Sequence, residues 1–154
     1  MEQTQTNWGQ SVTAVVIHNG KVLLARHTYG SGAGKLIIPG GYVNVGETPQ
    51  DALKREYLEE TGIVVEPLDI IGVRFNMHDW YIAFRAAYVG GEAVSDHSEN
   101  SEVLWIDVNE ALAREDVPML TRKLIASALE SRPALRSEPY EASTKYAPYS
   151  LYCL

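Results

Sequence analysis

Residues 40–63, GGYVNVGETPQDALKREYLEETGI, decide how this chain is read. Two glycines open a turn, a short extended piece follows, and Thr48-Pro49-Gln50-Asp51 then starts a helix. Threonine suits an N-cap, proline suits the first helical position, and Asp51 meets both the cap and the positive end of the helix dipole. The spacing predicts a helix running to Thr61, with Gly62 supplying the left-handed stop. Along it Leu53, Tyr57 and Thr61 share one stripe, which packs, while Ala52, Glu56, Glu59 and Glu60 share another, which presents charge. Like charges at offsets of three and four repel, a cost that a hard divalent cation reverses by taking the carboxylate oxygens. Taken alone, EYLEE reads equally well as a solvated acidic helix face.

Upstream, SVTAVVIH (11–18) and KVLLAR (21–26) flank Asn19-Gly20, the pattern of a β-hairpin closed by a type I′ turn. A glycine-rich loop (27–35) and a short strand ending at Pro39 lead into the central stretch. Downstream, residues 63–75 read as one bent strand or two, interrupted at Pro67, and 80–89 as a strand. A polar loop (90–102) precedes a strand at 103–108, a short helix from about 109 to 114, and a helical stripe over 121–132. Residues 1–10 read as a flexible arm with Trp8 a late anchor, and 11–132 as the single domain. After Pro133 the periodicity ends. The tyrosines at 140, 146, 149 and 152 mark an extension (133–154) that docks on the body or on a partner chain, which makes a homodimer one expectation.

Composition narrows the partners. A net charge of −7 argues against a broad nucleic-acid footprint, yet leaves a small polyphosphate open if metal bridges the negative groups. No apolar run reaches the ~20 residues that span a bilayer. The segment MEQTQTNWGQ has no basic-then-apolar leader, and a single cysteine, Cys153, excludes an internal disulfide. A cytoplasmic protein without membrane or nucleic-acid partners is the expectation.

Read with its gaps, the stretch is Gly41, five residues, Glu47, seven residues, Arg55-Glu56, Tyr57-Leu58, Glu59-Glu60, Thr61 and Gly62-Ile63. This resembles the signature of the Nudix hydrolase family, GX5EX7REUXEEXGU, where U is a bulky aliphatic residue. All seven fixed positions match, and Tyr57 stands where an aliphatic residue is usual. The resemblance implies an α+β fold, the family's α/β/α sandwich with a mixed β-sheet flanked by helices. It also implies a divalent-metal-dependent pyrophosphohydrolase using Mg²⁺ or Mn²⁺. The substrate would be a nucleoside diphosphate linked to another moiety: a nucleoside triphosphate, a dinucleoside polyphosphate or a nucleotide sugar.

Carried over residue by residue, the resemblance gives Glu56, Glu59 and Glu60 as carboxylate ligands and Gly41 as a carbonyl ligand, a donor set that suits octahedral Mg²⁺. Arg55 pairs with Glu59 or reaches back to Glu47, bracing the ligands. An acid beyond the box, Glu99 or Glu102, completes the site or acts as base. Arg26 and Lys35 are candidates for substrate phosphate, with Arg74 and Arg85 as further cations, although strand-end charges are commonly no more than surface groups. Tyr81 sits where related dinucleotide hydrolases stack a base, with strand packing as its ordinary role. Two other classes share the scaffold. A nucleotide-sensing module would bring a DNA-binding segment or an eroded box, and an isoprenoid diphosphate isomerase would want a core cysteine, where this chain has only Cys153.

Overall fold

A computed structural model describes residues 9–132, 134–142 and 144–154. Strands β1 (Gly9–His18) and β2 (Lys21–His27) form the expected hairpin, with Asn19 and Gly20 at φ of 51° and 73° as the turn requires. Gly9 and Gln10 belong to β1 rather than to the arm expected over residues 1–10, and residues 1–8, Trp8 among them, lie outside the described residues. Short strands β3 (Leu36–Ile37) and β4 (Gly40–Tyr42) lead to helix α1 (Pro49–Thr61). The Thr48 side chain accepts from the Asp51 amide at 3.1 Å, and Gly62 closes the helix at φ 73°.

Strands β5 (Ile63–Phe75) and β6 (Asp79–Gly91) form a long hairpin, followed by β7 (Asn100–Asp107), α2 (Val108–Ala113) and α3 (Met119–Leu129). β5 is one strand. It bends through register shifts at Val64/Val65, Pro67/Asp69 and Ile70/Gly72, so Pro67 is absorbed at an irregularity rather than breaking the strand. α3 begins two residues earlier than the stripe indicates and stops at Leu129, before the polar run Glu130-Ser131-Arg132.

The sheet runs β3-β2-β1-β6-β5, with β4 also on β1 and β7 also on β2. β1 and β6 are parallel and the other strand pairs antiparallel, which makes the sheet mixed. Each face carries its own core. On one, Leu53 and Tyr57 of α1 pack with Val12, Leu23 and Phe84. On the other, Ala111 of α2 and Leu124 and Ile125 of α3 pack with Val15, Leu24 and Ile106. The architecture is therefore an α/β/α sandwich of the α+β class.

One detail explains a departure in the motif. β1 pairs β4 through residues 11–13 and β2 through residues 17–18, and among the described residues no strand pairs with it on that side between them. The fully buried Tyr57 donates its hydroxyl to the Ala14 carbonyl at 2.5 Å within that gap. An aliphatic side chain would fill the core equally well and leave this backbone acceptor unsatisfied.

The extension docks on the body. β8 (Arg136–Glu138) and β9 (Leu151–Cys153) pair antiparallel, and Leu135 bridges Ile70 of β5. The Tyr152 ring meets Phe84 edge-on at 5.7 Å, while Gln50 Nε2 donates to its hydroxyl at 3.0 Å. Pro133 lies outside the described residues. Among the described residues, no helix is long and apolar enough to cross a membrane.

Candidate metal centre

The box folds so that its glycine turn lies under its helix. A methyl group built on Gly41 would overlap the Glu56 carboxylate, and one built on Gly40 would overlap the Val12 carbonyl oxygen. The two glycines thus serve different ends: Gly40 lets β4 approach β1, and Gly41 leaves room for an acid.

Glu56, Glu60 and Glu99 each bring a carboxylate oxygen to a point where all three lie within 4.8 Å of one another. Glu56 and Glu60 come from successive turns of α1, and Glu99 comes from the loop before β7. That loop is wound around Asp96, whose Oδ1 accepts from the amides of Ser98, Glu99 and Asn100 at 2.9, 3.0 and 3.1 Å. Thr28 of the glycine-rich loop adds its amide and hydroxyl to the Glu99 carbonyl, at 3.1 and 3.0 Å.

Glu60 is 8% exposed, and burial, reinforced by Glu99 and Glu56, pushes its carboxyl far above the usual carboxylate range. Three acids this close together, with Glu60 buried and the other two partly so, are costly without a proton or a cation among them. A divalent ion fits on three counts. The donors are hard oxygens, the missing Cβ of Gly41 keeps the cradle open, and Asn100 Oδ1 is buried without a hydrogen-bond partner among the described residues. Asn100 went unremarked in the sequence, since a single asparagine in a polar loop carries no pattern. Its Nδ2 donates to the Glu60 carbonyl at 2.9 Å, tying the end of α1 to the loop that carries Glu99.

Arg55 braces this group. Its Nε and Nη2 take both oxygens of Glu47 at 2.5 and 3.0 Å, Nη1 reaches Glu56 at 2.7 Å and Glu59 at 3.3 Å, and Nη2 also donates to the Tyr42 carbonyl at 3.1 Å. Both sequence expectations for Arg55 are therefore met together. Glu59 is a different matter from its neighbours. Its side chain is 60% exposed, pairs with Arg55, and is not among the converging acids. The helix face that should present charge instead buries Glu60 and Ala52.

The remaining sequence candidates divide. Tyr81 lines the cavity of about 310 Å³ that contains Gly41, Glu56, Glu60 and Glu99. Glu102 and Arg26 do not line it; they pair with each other at 2.9 Å, and Arg26 also meets Asp116 at 3.2 Å. Strand alternation accounts for this, because Ala25 and His27 of β2 line the cavity and Arg26 between them points to the other face. Lys35 is exposed and outside the lining. Arg85 pairs with Asp69 at 2.9 Å, donates to the Ala128 carbonyl and is outside the lining, whereas Arg74 does line the cavity.

Comparison with known proteins places these features. The NUDIX domain family model matches residues 8–127. The NAD-capped RNA hydrolase NudC of Vibrio atlanticus is 32% identical over 126 residues, 77% of this chain and 45% of that protein. The oxidized purine nucleoside triphosphate hydrolase of Danio rerio is 37% identical over 102 residues, 62% of this chain and 64% of that protein. This chain spans about half the length, or less, of the NudC relatives it matches. A crystal structure of a MutT protein from Methanosarcina mazei superposes at a TM-score of 0.66 with 29% identity, covering 82% of this chain and 96% of that one. A NUDIX hydrolase from Nitrosomonas europaea superposes at 0.71 with 23% identity, covering 79% and 70%, a likeness of fold.

Proposed function

The chain belongs to the Nudix hydrolase family, and from that premise we propose that it is a pyrophosphohydrolase, using Mg²⁺ or Mn²⁺, that cleaves a small nucleotide in which a nucleoside diphosphate is linked to another group. The observation that carries this reading is the convergence of Glu56, Glu60 and Glu99 above Gly41, on the wall of a cavity also lined by Tyr29, Tyr42 and Tyr81. Carboxylates of this kind take a hard cation, and aromatic walls suit a base.

In this reading Glu56, Glu60 and Glu99 hold the ion, with a backbone carbonyl of the Gly40-Gly41 turn as a further donor. When bound, the ion neutralises charge on phosphoryl oxygens and makes a water nucleophilic. Arg55 fixes Glu56 through a charged bond and is itself held by the fork to Glu47. Asn100 sets the approach of Glu99 to Glu60. Glu59 restrains Arg55 from the solvent side, and Glu102 restrains Arg26. The activities of the relatives, on NAD-capped RNA and on oxidized purine nucleoside triphosphates, share the phosphoric anhydride bond that this site would break. A net charge of −7 favours a free nucleotide over an RNA body as substrate. Residues 11–132 form the hydrolase body in this proposal, with 133–154 as its strap. A cytoplasmic setting is supported by the single cysteine, and a homodimer by the exposed Phe75 and Met77 at the β5–β6 tip.

The test is hydrolysis of a panel of nucleoside triphosphates, dinucleoside polyphosphates and nucleotide sugars with Mg²⁺ and with Mn²⁺, by wild type and Glu60→Gln. The expected result is metal-dependent release of phosphate or nucleotide by wild type, lost in the variant. Equal activity of the two proteins would remove Glu60 from the reaction.

A further inference from the structure

Beside the carboxylates lies a second space of about 470 Å³, and the two share Tyr29, Tyr42, Arg74, Asp79 and Tyr81 along their common wall. Tyr29 and Tyr42 are 54% and 51% exposed, so their rings stand at the mouth, and the space is large enough for a purine. At its wall sits an acid that the metal cluster does not use. Asp79 is 8% exposed and receives Arg74 Nη1 on Oδ1 at 2.5 Å, and the Arg74 guanidinium lies 5.1 Å from the centre of the Tyr81 ring.

The Arg74 guanidinium, the main cause, holds the Asp79 carboxyl below the usual range, so it is an acceptor only. Asn76 also helps lower the Asp79 carboxyl. The pair also pins the β5–β6 turn, whose Asn76 Oδ1 accepts from the amides of His78 and Asp79, both at 2.7 Å. A pin needs no place on a cavity wall under aromatic rings. Both residues line this space and the cavity of the carboxylates, and a carboxylate accepts hydrogen bonds where a guanidinium donates them.

We infer that Arg74 and Asp79 select a guanine-type base in the substrate, Asp79 accepting from the ring N–H and 2-amino group and Arg74 donating to O6 or N7. Guanine places two donors beside an acceptor on one edge. Adenine and cytosine have a single amino group there, and uracil turns two carbonyls toward the carboxylate. The inference rests on the nucleotide reading given above and adds which base the site takes.

Binding of GMP, IMP, AMP and UMP to the metal-free protein, followed by calorimetry, tests it without hydrolysis, since none has an anhydride bond. Wild type should bind GMP about tenfold or more tighter than IMP, which lacks the 2-amino group, and than AMP and UMP. Asp79→Asn, shown to be folded by its unfolding midpoint, should bring GMP and IMP together. Equal affinities in wild type, no binding of any of the four, or a guanine preference retained by Asp79→Asn would overturn the inference. Guanine selection without hydrolysis of the panel would sink the proposed activity and leave the base reading standing. Hydrolysis without selection would do the reverse.

Discussion

The Glu56 carboxylate fills the space that a side chain on Gly41 would occupy. A conformational account of this glycine would point to backbone freedom alone. The structure gives a steric reason, and it makes the turn and the helix a single device.

Gly41→Ala therefore displaces the acid while leaving both cores untouched. Outer supports of metal ligands are worth about 10–100-fold in affinity, and a displaced ligand should cost at least as much. We expect Mn²⁺ binding, read by titration calorimetry, to weaken by that factor with little change in far-ultraviolet circular dichroism. Unchanged binding would mean that Glu56 has another rotamer available for the ion.

Glu60 makes the metal-free protein sensitive to pH. Its folded carboxyl holds a proton that the unfolded chain gives up near its ordinary value of 4.5. The stability from this group is thus complete below the unfolded value and is lost as pH rises toward the raised folded value. A cation displaces the proton, so Mn²⁺ affinity should rise with pH and binding should release a proton. Calorimetry in two buffers of different ionisation enthalpy measures that proton, and Glu60→Gln should abolish it. A buffer-independent heat in wild type would show Glu60 already ionised.

Arg55→Lys tests the brace. Lysine keeps the charge and loses the fork that takes both Glu47 oxygens while reaching Glu56. The ligands should loosen, with metal affinity and turnover both falling about 10–100-fold and the fold intact. A variant with wild-type affinity would reduce Arg55 to a surface pair.

Tyr57→Phe removes one hydroxyl and strands the Ala14 carbonyl in a gap of the sheet. The cost of an unsatisfied buried acceptor is about 1–3 kcal/mol, visible in the midpoint of chemical denaturation. Metal binding should hold, because the acids lie elsewhere on the helix. Undiminished stability would show that water reaches the carbonyl.

Much of this was legible before the structure. The hairpin at Asn19-Gly20, the capped helix from Thr48 to Gly62 and the box itself rest on local chemistry that spacing records. What spacing does not record is burial. Glu59 and Glu60 are neighbours on one helix, and a rotation of about 100° separates the exposed partner of Arg55 from the buried acid of the cluster. Glu99 and Glu102 share a loop in sequence, and only the turn wound on Asp96 sends the former to the cluster. Arg26 was readable in principle, because alternation along β2 sets it opposite Ala25 and His27. Asn100 and Asp79 carried no pattern, since the first acts by meeting the Glu60 carbonyl forty residues away and the second by pairing with Arg74 across the β5–β6 turn.

The central claim is that Glu56, Glu60 and Glu99 hold a divalent cation. Parallel Mn²⁺ titrations of wild type, Glu60→Gln, Glu99→Gln, Glu59→Gln and Glu102→Gln test it most directly. The account predicts that the first two substitutions weaken binding about 10–100-fold or more, while the last two leave it within a few-fold of wild type. Wild-type affinity in Glu60→Gln and Glu99→Gln, with the loss appearing in Glu59→Gln or Glu102→Gln, would contradict it.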